Sequence, residues 1–436
     1  MFRAIGKSMT PPESKANPGA RAALGLLLGI NLFNYIDRFV LAAVEPNIRA
    51  TFFAPGDPNA MAITGLLAPA FLVTYMLSAP VLGLLADRFS RWLIVGICVI
   101  LWSFATAASG FALTFAALFA TRIFVGIGEG GYGPAAPTIL ADYFTQQTRG
   151  RIMAIFCAAI PVGSALGYVL GGLINHQLGW RWAFYLVAIP GIILGLICFF
   201  QKDPRTRAGF PQERKRARKA DYLALLRTRS FVFNCLAQTA MTFALGGLAF
   251  WMSAYLIFRN QAPELATPIF GGITVVAGLL STLLGGFVAD RLQKRYNGSY
   301  FLVSGIGMLL AFPLFIGMIY APFPLAWVFL FGSVFFVFLN TGPSNAALAN
   351  VAGPKVRASA FALNILVIHF FGDAFSPPLL GFIAGRSNMN AAFLVISLAM
   401  LVAGVVWLFG MKYLAADTAA VENQLLLETS PAIPST

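Results

Sequence analysis

The sequence predicts an all-α membrane protein of twelve transmembrane helices in two pseudo-symmetric six-helix bundles. Three observations point there. Of the 436 residues, 58% are apolar and only 11% charged, whereas soluble domains carry about 25% charged residues. The apolar residues fall in runs of about 20, the length a helix needs to cross the hydrocarbon of a bilayer. A loop sequence recurs at an offset of 203 residues, close to half the chain.

Apolar runs bounded by charge, Gly and Pro place the first six spans near 22–48, 62–86, 92–112, 115–142, 151–175 and 181–201. The second six lie near 231–258, 267–289, 299–320, 325–350, 358–385 and 389–413. The domains that follow are an N-terminal tail over 1–21, a first bundle over 22–201, a basic linker over 202–230, a second bundle over 231–414 and a tail over 415–436. The last tail, small and polar with prolines, reads as mobile. A cleavable signal peptide is not expected, because the first apolar run follows a polar stretch and carries Asp37 and Arg38 in its middle.

Lys and Arg flanking the spans stay on the cytoplasmic side. With both termini inside, the outer segments hold only Arg49, Arg181, Arg259 and Arg386, and Arg38 and Arg122 fall within spans. The opposite orientation would invert that ratio. The formal charge of +14 would suit phosphate neutralisation, but this distribution marks topology and excludes nucleic acid as the partner. The basic linker reads first as a solvated, topology-fixing segment. Cys98, Cys157, Cys198 and Cys235 sit in or beside apolar runs without metal-type spacing, and read as buried thiols.

The repeated loop is Gly83-Leu-Leu-Ala-Asp-Arg-Phe-Ser-Arg91 after the second span and Gly286-Phe-Val-Ala-Asp-Arg-Leu-Gln-Lys294 after the eighth. Both copies occupy the same step of their six-span group, which points to duplication. Paired halves suit alternating access around a site near the bilayer midplane. The loop resembles the signature of the major facilitator superfamily. Asn34-Tyr-Ile-Asp-Arg38, Arg122-Ile-Phe-Val-Gly-Ile-Gly-Glu-Gly-Gly-Tyr132, Ala-Pro-Thr-Ile-Leu-Ala-Asp142 and Ile160-Pro-Val-Gly-Ser-Ala-Leu-Gly-Tyr168 further resemble its spinster branch, and Gly372-Asp373 and Ser376-Pro377 extend the likeness.

The resemblance implies the major facilitator fold and a secondary transporter, often proton coupled, whose relatives move sphingolipid or lysolipid amphiphiles. It also implies that Asp87, Arg88 and Arg91, with Asp290 and Arg291 as the second copy, fasten the halves together when the cytoplasmic side is closed. A proton-coupled organic-anion carrier is the alternative, since its relatives share a similar first helix. A membrane-embedded enzyme lacks support: there is no His-Glu-x-x-His, Gly-x-Ser-x-Gly or phosphate loop, and His176 and His369 are the only imidazoles. A non-transporting receptor is a further alternative. The expected partners are an amphipathic small molecule and the bilayer. Protons are expected as coupling ion without other cofactor or metal, and the chain is expected to work as a monomer in a bacterial inner membrane.

A charge at the bilayer centre costs about 3 kcal/mol on insertion scales, so Asp37, Arg38, Arg122 and Glu129 should face a cavity or one another. Arg122 and Glu129 share a face of one helix about 10 Å apart, too far for contact, and Asp37 falls between them in depth. Asp37 is therefore the expected protonation site, Arg122 its electrostatic partner and Glu129 a second acid, with Arg38 either joining them or packing elsewhere. Burial raises the proton affinity of a carboxylate and a nearby guanidinium lowers it, so an acid subject to both can switch. His369 and Asp373 share a face four residues apart, too few ligands for a metal. Asn34, Tyr35, Tyr132, Trp251, Asn340 and His369 are the candidate substrate contacts. Gly126-Ile-Gly-Glu-Gly-Gly131 mimics a dinucleotide fingerprint but lacks the strand that fingerprint needs. That stretch, and Gly163, Gly167 and Gly171, read as close helix packing.

Overall fold

A computed structural model describes residues 19–144, 146–204, 225–353 and 356–429. Among them, eleven helices are long and apolar enough to cross a membrane. The remaining expected span is Phe115–Tyr143, whose 29 residues suffice at about 1.5 Å per residue although Arg122 and Glu129 interrupt its apolar character. We number these helices α1 (Ala20–Phe52), α2 (Ala60–Ala86), α3 (Arg91–Gly110), α4 (Phe115–Tyr143), α5 (Arg151–Leu178) and α6 (Trp180–Cys198) in the first half. The second half holds α7 (Arg229–Phe258), α8 (Pro263–Gln293), α9 (Ser299–Tyr320), α10 (Leu325–Val351), α11 (Ser359–Arg386) and α12 (Met389–Thr429).

The pairings repeat. In the first half α1 packs on α5 and α6, α4 on α2 and α3, and α3 on α6. In the second, α7 packs on α11 and α12, α10 on α8 and α9, and α9 on α12. The same pseudo-symmetry governs the interface between halves, where α5 meets α8, α11 meets α2, and α1 meets α7. The glycines of α5 allow its close approach to α1: a Cβ on Gly163 would stand 2.7 Å from the Leu32 carbonyl oxygen, and one on Gly167 2.8 Å from that of Ile36.

Three helices are broken. α2 divides at Leu66 into Ala60–Gly65 and a longer piece from Leu67, α10 divides after Phe338, and α11 contains a π turn over His369–Asp373. One expectation is corrected at the C-terminus. Residues 415–429 are not a loose tail but continue α12, a helix of 41 residues, because the alanines of this stretch are strong helix formers and Asp417 caps α7. Its carboxylate accepts from the Ser230 backbone N–H at 2.8 Å and from the Ser230 hydroxyl at 2.6 Å. Cys98, Cys198 and Cys235 are buried as expected, but Cys157 is exposed. The terminal tails over 1–18 and 430–436 and most of the basic linker lie outside the described residues.

The contacts joining the halves gather at one end. There Gly65 lies against Pro377, Gly381 against Met61 and Gly385 against Pro58, so close that a Cβ would fall 2.7, 2.3 and 2.1 Å from the facing carbonyl oxygens. Arg386 reaches Asn59 at 3.4 Å, Trp251 Nε1 donates to the Pro377 carbonyl at 2.9 Å, and the Tyr168 hydroxyl donates to the Ala249 carbonyl. At the other end lie the two copies of the Asp-Arg loop, with Arg88, Asp290 and Arg291 exposed.

Candidate functional site: paired charges inside the first bundle

Helix α4 carries two of the four intramembrane charges and is held by its glycines. Gly126 seats on α2, where a Cβ would stand 2.3 Å from the Phe71 carbonyl oxygen, and Gly128 on α3, where it would stand 2.8 Å from Trp102. The glycine-rich stretch is therefore a wedge between two helices. This packing fixes the rotation of α4 and points Arg122 and Glu129 toward α1.

Both acids of the set find a guanidinium on the opposite helix. Arg122 of α4 stands 3.7 Å from Asp37 of α1, and each is only 2% exposed. Thr106 of α3 donates its hydroxyl to Asp37 Oδ2, while Asp37 Oδ1 and Arg122 Nε are buried without hydrogen-bond partners. Arg122 also bonds the Ser109 hydroxyl at 2.5 Å and rests over the Phe184 ring. The second pair crosses the other way. Arg38 of α1 holds Glu129 Oε2 through Nε at 2.7 Å and a terminal nitrogen at 2.6 Å. Arg38 thus joins the set, and the four charges form two separate pairs.

The surroundings of the pairs differ. Asp37 and Arg122 are sealed by α3 and α6. Arg38 and Glu129 border a cleft of about 170 Å³ that Asn31, Asn34, Tyr35, Tyr75 and Tyr132 also line. Asn34 Nδ2 and Glu129 Oε1 are both buried beside this cleft, and the Asn34 amide lies against the Glu129 carboxylate. The Arg38 guanidinium packs against the rings of Tyr35, Phe71 and Tyr75 at 5.1, 4.7 and 5.3 Å. Such a cleft, aromatic with a few fixed polar groups, suits a ligand that is apolar in bulk and polar at one point.

The other sequence-expected residues divide. Asn34, Tyr35 and Tyr132 border the cleft, with the Tyr132 hydroxyl tied to the Leu27 carbonyl at 2.7 Å. His369 and Asp373 pair at 2.9 Å in the π turn and remain partly exposed. Trp251 is buried at the closed end and donates to α11, and Asn340 is fully buried, bonded to the Val337 carbonyl. Neither borders the cleft beside Arg38. Sequence reasoning missed Thr106, Ser109 and Tyr75, because Ser, Thr and Tyr in a span ordinarily satisfy themselves locally and carry no spacing signal. It also missed Glu45, which is 0% exposed.

At the loop end, Arg91 bridges Asp142 of α4 and Asp203 beyond α6, both at 2.6 Å, and bonds Asp203 again through Nε at 3.2 Å. Asp203 also accepts the Arg91 backbone N–H at 2.8 Å. Arg91 therefore braces its own half here. Asp87 ends α2, and its side chain lies outside the described residues. Among the described residues no ion pair links the halves at this end.

Residues 27–372 match the sequence profile of the Major Facilitator Superfamily. The chain is 35% identical over 384 residues to Protein spinster homolog 3 of Danio rerio, covering 83% of this chain and 76% of that one. The chain belongs to the spinster family of the Major Facilitator Superfamily. It is likewise 33% identical to the sphingosine-1-phosphate transporter SPNS2 of Xenopus tropicalis over 92% of this chain and 82% of that one. Against Protein spinster of Drosophila melanogaster the identity is 35%, over 86% of this chain but only 64% of the fly protein. Among solved structures, a bacterial homologue of the human lysosomal transporter spinster, inward-facing and unoccupied, shares the fold with a TM-score of 0.77 at 20% identity, covering 94% of this chain and 99% of that one. A D-xylose-proton symporter does so with a TM-score of 0.71 at 18% identity, covering 88% and 96%. In this spinster-family chain the paired charges thus sit in the first bundle of a major facilitator fold, and the second bundle has no comparable set among the described residues.

Proposed function

We propose that this protein is a proton-coupled secondary transporter of an amphipathic, lipid-like substrate, working by alternating access. The observation that carries the reading is the double pairing of Asp37 with Arg122 and Arg38 with Glu129. Fully ionised, the set is neutral. One proton on Asp37 leaves the buried Arg122 guanidinium unpaired, which costs several kcal/mol when no counter-charge is supplied, and one on Glu129 leaves the partly exposed Arg38 unpaired at the cleft. The excess charge is relieved if an anionic headgroup enters the cleft beside Arg38 or if the site opens to water. Proton uptake and substrate binding are coupled by that relief.

Asp37 is the group we assign to the proton. Its ionised form is held by Thr106 at Oδ2 and by Arg122, which stands 3.7 Å from Oδ1, so a proton on Oδ1 takes the counter-charge from Arg122. Arg122 responds to its charge, and Glu129 with Arg38 carries the change to the cleft. The amphiphile preference follows from the aromatic lining and from the names borne by the relatives. With both termini in the cytoplasm, an orientation supported by the distribution of Lys and Arg, the closed end faces outward and the loop end inward. Arg88 and Arg91, with Asp290 and Arg291, then fasten the inner end in the opposite state.

Reconstituted protein tests the reading. Proteoliposomes offered lysolipids, sphingoid phosphates and small carboxylates, with and without an imposed pH gradient, should accumulate an amphiphile only with the gradient. Uptake of a carboxylate in preference to every amphiphile would replace the substrate assignment, and gradient-independent uptake would end the coupling assignment.

A further inference from the structure

Near the closed end, α1 carries a carboxylate that the transport reading does not use. Glu45 is 0% exposed. Its Oε1 accepts from the Thr64 hydroxyl at 2.7 Å and from Arg49 Nε at 3.1 Å, while Oε2 is buried with no hydrogen-bond partner. Thr64 belongs to the short first piece of α2, and the next residue, Gly65, is pressed onto the Pro377 carbonyl of α11. The same short piece offers the Met61 carbonyl to Gly381, and the preceding loop offers the Pro58 carbonyl to Gly385. Glu45 thus anchors, from behind, the segment on which the second half closes.

We infer that Glu45 is a second proton-binding site, and that its ionised form holds the closed end of the bundle shut. An ionised carboxylate accepts hydrogen bonds roughly twice as strong as a neutral one. Charged, Glu45 grips Thr64 and Arg49 and fixes Ala60–Gly65 as a rigid seat for α11. A proton arriving at the partnerless Oε2 cancels the charge, weakens the Thr64 bond and leaves Arg49 without its acid. The seat loosens, and backbone contacts that depend on the absence of a Cβ at Gly65, Gly381 and Gly385 lose their register. Acid therefore favours opening of this end and base favours closure.

Arg49, on the same helix, is the charge paired with Glu45. The elements packed around α1 bring other titratable groups to this end but hold them elsewhere. His176 and Glu264 border the neighbouring cleft of about 360 Å³ with Pro46 and Asn47. Arg181 bonds the Ala112 carbonyl at 3.1 Å, Asp57 caps the Asn59 backbone, Arg259 holds carbonyls of the α9 terminus, and Arg386 meets Asn59.

The test measures the width of this end directly. Spin labels are placed by Ala54→Cys and Ser387→Cys in a chain whose four native cysteines are replaced by Ala, and distances are recorded by pulsed electron paramagnetic resonance in nanodiscs from pH 8 to pH 5. The expected result is a longer-distance population that grows as pH falls. In Glu45→Gln that population should be present at every pH, and Thr64→Val, which keeps the carboxylate, should raise it at pH 8. His176→Gln should keep the response, which separates this site from the neighbouring imidazole. A pH-independent distance in the otherwise unsubstituted protein, or a wild-type response surviving in Glu45→Gln, would overturn the inference. So would loss of the response in His176→Gln.

Discussion

Replacing Arg38 with Met should expose how firmly the membrane interior enforces charge pairing. Met keeps an unbranched stem between the rings of Tyr35, Phe71 and Tyr75 but removes both nitrogens that hold Glu129 Oε2 at 2.6 and 2.7 Å. The Glu129 side chain is 0% exposed, so the variant leaves its carboxylate without a counter-charge. Stranding one member of a buried pair costs about 3–5 kcal/mol. The carboxyl escapes that cost by taking a proton, and neutralising it costs about 1.4 kcal/mol for each pH unit above an ordinary Glu value near 4.3. The smaller cost governs, so the deficit should be about 1 kcal/mol at pH 5, rise to about 3–4 kcal/mol at pH 7 and level off above. Unfolding free energies from SDS titration in mixed micelles, measured for Arg38→Met against the unsubstituted protein at several pH values, test this. The double variant Arg38→Met/Glu129→Gln should remove the pH dependence. A deficit equal at pH 5 and pH 7 would refute the reasoning, because it would show loss of packing rather than of a counter-charge.

Three further outcomes follow from the geometry. Thr106→Val removes a donor to the ionised form of Asp37; a hydrogen bond to a charged group is worth about 1.5–3 kcal/mol, so the pH of half-maximal transport should move up by about one to two units. Arg91→Lys keeps the charge but loses the fork that spans Asp142 and Asp203. Because one ammonium cannot satisfy both geometries, denaturation of the first bundle should become easier by about 1–3 kcal/mol, read by the same SDS titration. Asp417→Ala removes the cap from Ser230, with an expected cost of about 1 kcal/mol; increased amide hydrogen exchange in the first turn of α7 and in the end of α12 that Asp417 ties to it is the readout.

The architecture was legible because the features that fix it are local. Apolar length reports a span, and the Gly83–Arg91 and Gly286–Lys294 loops report the duplication without reference to any distant residue. Asp37 and Arg122 were legible as partners because depth along a helix follows from residue number, and the two fall at neighbouring depths. Depth says nothing of rotation. That Arg38 pairs with Glu129 depends on how Gly126 and Gly128 set α4 against α2 and α3, and that is a tertiary fact. Glu45 was hidden for a related reason: four residues before Arg49 at the expected end of a span, it reads as half of a solvated i, i+4 pair. Its burial comes from α2 folding a short helix over it. The partners of Trp251 and Asn340 were not legible, because a polar or aromatic side chain in a span signals a polar neighbour but not whether that neighbour is a ligand or a backbone carbonyl. The continuation of α12 was obscured by reading small residues as mobile, when a run rich in alanine favours helix once Asp417 ties it to α7.

The central claim is that Asp37 carries the proton whose movement drives transport. Its most direct test is uptake of an amphipathic substrate into proteoliposomes by Asp37→Asn protein, with and without an imposed pH gradient and beside a substrate-exchange assay that needs no gradient. Folded Asp37→Asn protein should exchange substrate across the membrane but fail to concentrate it, whatever the gradient. Gradient-driven accumulation at the unsubstituted rate would contradict the account.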